Sequence, residues 1–189
     1  MSKTGTSELR EILAASELIR SRDEVEAALD AMAEELNDLC QGDDWLVLVV
    51  MNGGLMPAAW LMERFTFFFE LDYIHATRYR GATVGNELHW QAHPHTPLKG
   101  RKILLLDDIL DEGITLQQII EHCRESGALE VQAAVLVRKD HGRNIGIEAD
   151  IVGMNVPDRY VFGCGMDYRE HFRHLPEVRA LARDNSDNS

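Results

Sequence analysis

Cysteine is scarce in this chain of 189 residues: there are three, Cys40, Cys123 and Cys164, an odd number spaced far apart with no CxxC pair. That pattern excludes a disulfide framework, and the three are expected to be ordinary reduced thiols. Basic residues are also few. Nineteen Lys and Arg stand against 32 Asp and Glu, a formal charge of −13 that repels phosphate backbones at long range and argues against a nucleic-acid partner. No apolar run approaches the ~20 residues needed to cross a bilayer. The opening MSKTGTSELR lacks the charged-then-apolar order of a signal peptide, so a cytoplasmic protein without a membrane partner is expected. Two common nucleotide-binding loops are missing as well, since neither GxxxxGK(S/T) nor a GxGxxG after a strand occurs.

What is present is a regular alternation. Apolar residues at Val25, Ala28, Leu29, Met32, Leu36 and Leu39 have helical spacing, and Ser21 with Glu24 forms a capping-box pattern at its start. WLVLVVM (45–51) is a short valine-rich apolar run suited to a parallel strand covered on both faces. Asn52-Gly53-Gly54 breaks it, a helix is expected over 55–65, and TFFFELDYIHATRY (66–79) has strand character. From Gly81 to Gly100 the chain turns polar, which predicts a weakly paired hairpin or mobile excursion. KILLL (102–106), a helix through Leu116, Ile119, Ile120 and Cys123, and EVQAAVLV (130–137) follow, with short strands expected near 149–155 and 159–163. The order predicts an α/β fold: one domain over 1–182 with a mostly parallel central sheet flanked by helices, then a disordered polar tail at 183–189.

The chemistry concentrates in LLLDDILDEGITL (104–116), where three leucines run into Asp107, Asp108, Asp111 and Glu112, then Gly113 and Thr115. In open parallel sheets ligands bind beyond the carboxyl ends of strands, where the strand-to-helix loop offers backbone N–H groups to a phosphate. Gly113 permits close approach and Thr115 adds a hydroxyl. Adjacent Asp107 and Asp108 would repel a phosphate, so they suit sugar hydroxyls or a hydrated Mg²⁺. The plainer alternative is an acid-rich surface turn with Asp111 as a helix N-cap.

The segment LLLDDILDEGIT closely resembles the phosphoribosyl diphosphate signature of the type I phosphoribosyltransferases. VVMNGG (49–54), VLVRKD (135–140) and VPDRYVFGCGMDYREHFRHLP (156–176) resemble the corresponding segments of the hypoxanthine-guanine phosphoribosyltransferases, so the likeness covers roughly residues 45 to 176. It implies the type I phosphoribosyltransferase fold, with a hood from the N-terminal part and about 155–182 and a mobile flap over about 78–99, beginning at Arg78 and Tyr79.

The resemblance also implies roles. Asp107 and Asp108 would hold the ribose hydroxyls and their Mg²⁺. The N–H groups of Asp111, Glu112, Gly113, Ile114 and Thr115, with the Thr115 hydroxyl, would take the 5′-phosphate. Asp111 would accept the proton at purine N7, and Lys139 would donate to O6, the contact that favours hypoxanthine and guanine over adenine. Tyr160 would stack on the base, Val161 would read its edge through the backbone, and Asp167 would hold a second Mg²⁺ through water. Asn52, Gly53, Gly54 and Arg173 would bind diphosphate. Purine salvage from phosphoribosyl diphosphate, in a homodimer or homotetramer, is the implied function. Its alternatives are a xanthine-preferring relative and a nucleotide-sensing regulator. Two positions depart from the family pattern: Asn52 stands where some relatives have a basic residue, and Glu112 where a small hydroxyl residue is common.

Other features have plainer readings. His93 and His95 are expected to be exposed loop histidines, because no cysteine cluster or helically spaced acidic ligand accompanies them. On spacing alone Lys139 would be a surface lysine. Phe67-Phe68-Phe69 suggests a buried strand before it suggests an interface, and Trp90 is a candidate for the flap or a subunit contact.

Overall fold

The computed structural model of the chain describes residues 5–78, 88–143 and 146–182. In chain order the elements are α1 (Thr6–Ala15), β1 (Glu17–Arg20), α2 (Arg22–Leu39), β2 (Trp45–Met51), α3 (Leu55–Met62) and β3 (Phe69–Arg78). β4 (Leu88–Ala92), β5 (Lys102–Leu110), α4 (Ile114–Glu125), β6 (Glu130–Asp140), β7 (Ile151–Pro157), β8 (Val161–Phe162) and β9 (Val178–Ala180) follow. Six strands form one sheet in the order β4-β3-β2-β5-β6-β7, parallel except for the antiparallel edge strand β4. A second, three-stranded antiparallel sheet β1-β9-β8 joins the N-terminal region to the C-terminal one.

The continuous apolar runs are explained by two covered faces. Trp45, Val47 and Val49 pack with Leu104 and Leu106 against α2 and α3, while Leu46, Leu48 and Val50 pack with Ile103 and Leu105 against α4. Alternate residues of one strand point to opposite faces, so both parities must be apolar. α2 contributes Val25, Leu29, Met32, Ala33 and Leu36, and its start carries the expected capping box, with Ser21 accepting from the Glu24 N–H and the Glu24 carboxylate accepting in return. α4 buries Leu116, Ile119, Ile120 and Cys123. Among the described residues no helix is long and apolar enough to cross a membrane.

Four expectations are corrected. The strand over 66–79 begins only at Phe69. Phe65, Phe67 and Phe69 cluster with ring centroids 4.7–5.8 Å apart, but Phe68 is 89% exposed, so the phenylalanine run is not a buried strand. The helix expected over 55–65 ends at Met62. The strand read as KILLL runs on to Leu110, because the equally extended β6 keeps it paired through Asp107↔Val135 to Leu110↔Arg138 after its partnership with β2 stops at Leu106. Asp107 and Asp108 therefore sit on a strand, and the loop proper is Asp111–Gly113. β1 and β9, both unforeseen, are too short to show a period.

The polar excursion is anchored by β4, which pairs antiparallel with the end of β3. Residues 79–87, Tyr79 of the expected flap among them, lie outside the described residues, as does the tail at 183–189. His93 and His95 are exposed as expected, yet His93 stacks on Trp90 and meets His122 with tilted rings, each pair with centroids 5.1 Å apart.

Candidate active site

From β2 the chain crosses by α3 to β3 on one side; from β5 it crosses by α4 to β6 on the other. The carboxyl ends of β2 and β5 thus flank a topological switch point, where open α/β sheets leave a crevice. A cavity of about 510 Å³ opens there, lined by Asn52, Gly53, Asp107, Asp108, Asp111, Gly113, Thr115 and Arg173 among others. Eight of the residues singled out in the sequence are brought together on its wall.

Gly113 has φ +88° and caps α4 with its carbonyl accepting from Gln117 N–H at 2.9 Å. A side chain there would strike Ile147, so only glycine fits the turn. The first-turn N–H groups of α4 lack intrahelical partners and carry the positive end of the helix dipole, which makes this loop an anion site. Ile114 opens the helix without lining the cavity, and Glu112 stands off it, its charge felt by Arg143. Gly53 abuts the Asp108 carboxylate so closely that a Cβ would overlap it, and Gly54 lies against the Val50 and Leu106 carbonyls beneath the wall.

Burial pushes both Asp107 and Asp108 above the usual carboxylate range, and the Asp108 charge raises Asp107 further. Asp107 Oδ1 accepts the Asp108 N–H at 2.9 Å, and the Arg173 charge eases Asp108 only in part. Two adjacent carboxylates beside an anion-binding loop, Asp108 buried and Asp107 half-buried, favour a cation. Among the described residues no three His, Cys, Asp or Glu side chains form a metal cage. The donor set still fits a hydrated Mg²⁺, which needs only one or two carboxylates when substrate oxygens and water complete its shell.

Asp111 has two partners. Lys139 Nζ donates to Oδ2 at 2.8 Å, and His141 Nε2 lies 2.7 Å from Oδ1. Burial alone would raise its pKa; the bonds from Lys139 and then His141 outweigh it and hold the carboxyl below its ordinary value. The Lys139 side chain is 15% exposed, so it is no free surface lysine. Arg173 bonds Asp167 Oδ1 at 2.8 Å and the Gly165 carbonyl at 2.8 Å. Asp167 Oδ2 accepts the Glu170 N–H at 2.8 Å. Tyr160 is 51% exposed and donates to the Asp167 carbonyl at 3.2 Å, while Val161 is buried at the start of β8. Lys139, Tyr160, Val161 and Asp167 are not on the cavity wall itself.

Residues 18–170 match the model of the phosphoribosyl transferase domain, more than half of the chain. The chain belongs to this family. Among its relatives, the hypoxanthine-guanine phosphoribosyltransferase of Bacillus subtilis is 33% identical over 162 residues, 85% of this chain and 90% of that protein. The enzyme of the same name from Streptococcus pneumoniae is 28% identical over 165 residues, 87% and 92% of the two chains. In fold, this phosphoribosyl transferase superimposes on a hypoxanthine phosphoribosyltransferase of Staphylococcus aureus with a TM-score of 0.85 at 24% identity, covering 97% and 98% of the two chains.

Several site residues carried no signal in the sequence. His75, Thr77 and Gln91 reach this family's cavity from β3 and β4, and Glu170 from the loop before Arg173. Arg169, Glu170 and Phe172 adopt positive φ without being glycine, a backbone that no side-chain pattern betrays. His141 carried none either: it lies one residue beyond β6, which ends at Asp140, so the strand period does not fix where its ring points.

Proposed function

We propose that this phosphoribosyl transferase is a purine-salvage enzyme moving the 5-phosphoribosyl group from phosphoribosyl diphosphate to N9 of hypoxanthine or guanine, forming IMP or GMP and releasing diphosphate. The observation that carries the choice of base is the Lys139–Asp111 contact, at 2.8 Å, beside the phosphate-type loop. An ammonium has donors only, so it suits a 6-oxo group and opposes the 6-amino group of adenine. The names of the B. subtilis and S. pneumoniae relatives point the same way.

In this reading the 5′-phosphate takes the N–H groups of Asp111, Glu112, Gly113, Ile114 and Thr115 and the Thr115 hydroxyl. Asp107 and Asp108 face the ribose hydroxyls and Mg²⁺, and Asp167 holds a second Mg²⁺ through water. Bound Mg²⁺ supplies neutralisation of the charge on the diphosphate. Asn52, Gly53, Gly54 and Arg173 bind that diphosphate, Tyr160 stacks on the base and Val161 reads its edge. As N9 bonds to C1′, the C1′–O bond breaks with its electron pair leaving on diphosphate, and the N7 proton passes to Asp111.

We extend the proposal to one domain over 1–182, with the small sheet as hood and about 78–99, from Arg78 and Tyr79, as a flap that excludes water. A cytoplasmic location fits three unpaired, buried thiols. A homodimer or homotetramer fits the exposed Leu71 and Tyr73 on β3. Steady-state assays with phosphoribosyl diphosphate, Mg²⁺ and each of hypoxanthine, guanine, xanthine and adenine test the function. Turnover of the first two is expected; preference for xanthine would move the assignment within the family, and turnover of none would leave a regulator.

A further inference from the structure

Among the described residues Asp111 has two side-chain donors, and the proposed function, on which this inference rests, uses only one of them. Lys139 must leave Asp111 to reach O6 of a base. His141 has no such task, and its side chain is 4% exposed. The two donors divide the carboxylate: Lys139 bonds Oδ2, His141 bonds Oδ1.

The ring's hydrogen-bonding sense follows from its other nitrogen. His141 Nδ1 accepts the backbone N–H of Arg143 at 3.0 Å. A ring nitrogen that accepts carries no proton, so the proton sits on Nε2 and points at Asp111. In this tautomer His141 donates to the carboxylate and cannot take a proton from it. The turn that supplies the Arg143 N–H is itself clamped, because the Arg143 guanidinium bonds Asp158 at 2.6 and 2.8 Å. Asp158 lies two residues before Tyr160. A connected chain therefore runs from the base-stacking segment to the proton acceptor: Asp158, Arg143, His141, Asp111.

We infer that His141 is a positioning residue for the proton acceptor, holding Oδ1 so that Oδ2, released by Lys139 when the base arrives, faces purine N7. The charged groups around the pair are Lys139, Glu112, Arg143 and Asp158: Arg143 feels Asp111 and Glu112, and Asp158 feels His141 and Lys139. Among the described residues none of them offers Oδ1 a second side-chain donor. With His141 gone, the carboxylate can rotate about its own axis once Lys139 has left, and the proton transfer loses its geometry.

The test compares His141→Ala and His141→Gln with the unsubstituted enzyme. His141→Ala is expected to lower kcat for hypoxanthine by about 10- to 100-fold, the scale of a misplaced reacting group. KM for phosphoribosyl diphosphate should stay within about twofold, because the phosphate loop is intact. The acid limb of the pH profile should move to higher pH, since removing a donor to a carboxylate makes it easier to protonate. His141→Gln retains an N–H donor and should recover most of kcat. Nitrogen NMR of the unsubstituted protein supplies a readout independent of turnover and of how the variants fold: His141 should show the Nε2–H tautomer. A kcat for His141→Ala within about twofold of the unsubstituted enzyme with an unmoved acid limb, or an Nδ1–H tautomer, overturns the inference. An unsubstituted enzyme that turns over none of the four bases overturns the functional reading instead, and the tautomer still decides the geometry.

Discussion

Replacing Lys139 by Gln separates the two things its ammonium is asked to do. Lys139 Nζ sits 2.8 Å from Asp111 Oδ2 in a largely buried position, so it holds the Asp111 carboxyl, the proposed proton acceptor, in its charged form. In the complex with a 6-oxopurine it would transfer to O6. A hydrogen bond from a charged group contributes about 1.5–3 kcal/mol. At about 1.36 kcal/mol per decade, its loss should lower kcat/KM for hypoxanthine by about 10- to 150-fold. Adenine gains instead, because Gln can present a carbonyl to the 6-amino group that the ammonium opposed. The selectivity ratio should therefore fall by more than the hypoxanthine rate alone. The pH profile moves too. Asp111 must be ionised to accept a proton, and Lys139 is the foremost bond holding its pKa down against burial. Without Lys139 the carboxyl protonates at higher pH, so the acid limb of kcat/KM should rise. Initial rates with both bases across pH 4–9 supply both readouts. An unchanged preference for hypoxanthine over adenine would refute the reasoning, and an unmoved acid limb would show that the contact with Asp111 has no part in catalysis.

Three further outcomes follow from the same geometry. Asp107 has a folded pKa raised above the unfolded value of about 3.9, so its contribution to stability is full below that value and lost as pH rises through the folded one. At pH 7 without Mg²⁺ it is a cost, and Asp107→Asn should raise Tm by about 2–4 °C for each kcal/mol relieved, while activity falls; a lower Tm in scanning calorimetry would contradict this. Gly113→Ala forces φ +88° on a residue with a Cβ and pushes it into Ile147, so it should cost at least about 1–2 kcal/mol in denaturant midpoints and raise KM for phosphoribosyl diphosphate; an unchanged midpoint counts against the turn argument. Burial pushes the thiols of Cys40 and Cys164 up to about 12 and that of Cys123 to about 11, so none should react with a thiol reagent at pH 8 until the protein is unfolded, and fast labelling of the native protein would contradict the packing.

How much of this was legible beforehand depended on whether the physics was local. The capping box of α2, the doubly covered β2 and the helical face of α4 are short-range patterns, and each lies where its pattern put it. The Asp107–Thr115 segment was legible as a candidate site because its carboxylates, glycine and helix start follow a buried strand in the order of the phosphoribosyl diphosphate signature; the residues alone also allowed a surface turn capped by Asp111. The length of β5 was not legible: whether a strand continues through two aspartates depends on β6, whose partner residues lie 28 positions further on (Asp107↔Val135) and stay paired. Neither was the partnership of Asp111 with His141, which needs the turn at Gly142 and the Arg143 anchor to aim the ring. The exposed Phe68 misled because local apolarity says nothing about which way a turn points.

The charge balance shows why a whole-chain quantity was a poor guide to the ligand. A formal −13 disfavours a long phosphate backbone, whose binding depends on many cationic contacts acting together. A single phosphoribosyl diphosphate needs no such field. Physiological salt screens exposed charges beyond about 8 Å, so what a ligand would meet in the crevice is local: on the proposed function, the N–H groups at the start of α4, the Asn52–Gly53 turn and the Arg173 guanidinium. Even the local acids fit this picture. Desolvation raises both the Asp107 and Asp108 carboxyls and the Asp108 charge raises Asp107 further, so on the proposed function a Mg²⁺-bearing ligand would relieve a repulsion built into the crevice. On that reading selectivity for the substrate would come from the site's own unfavourable charge, not from attraction by the protein as a whole.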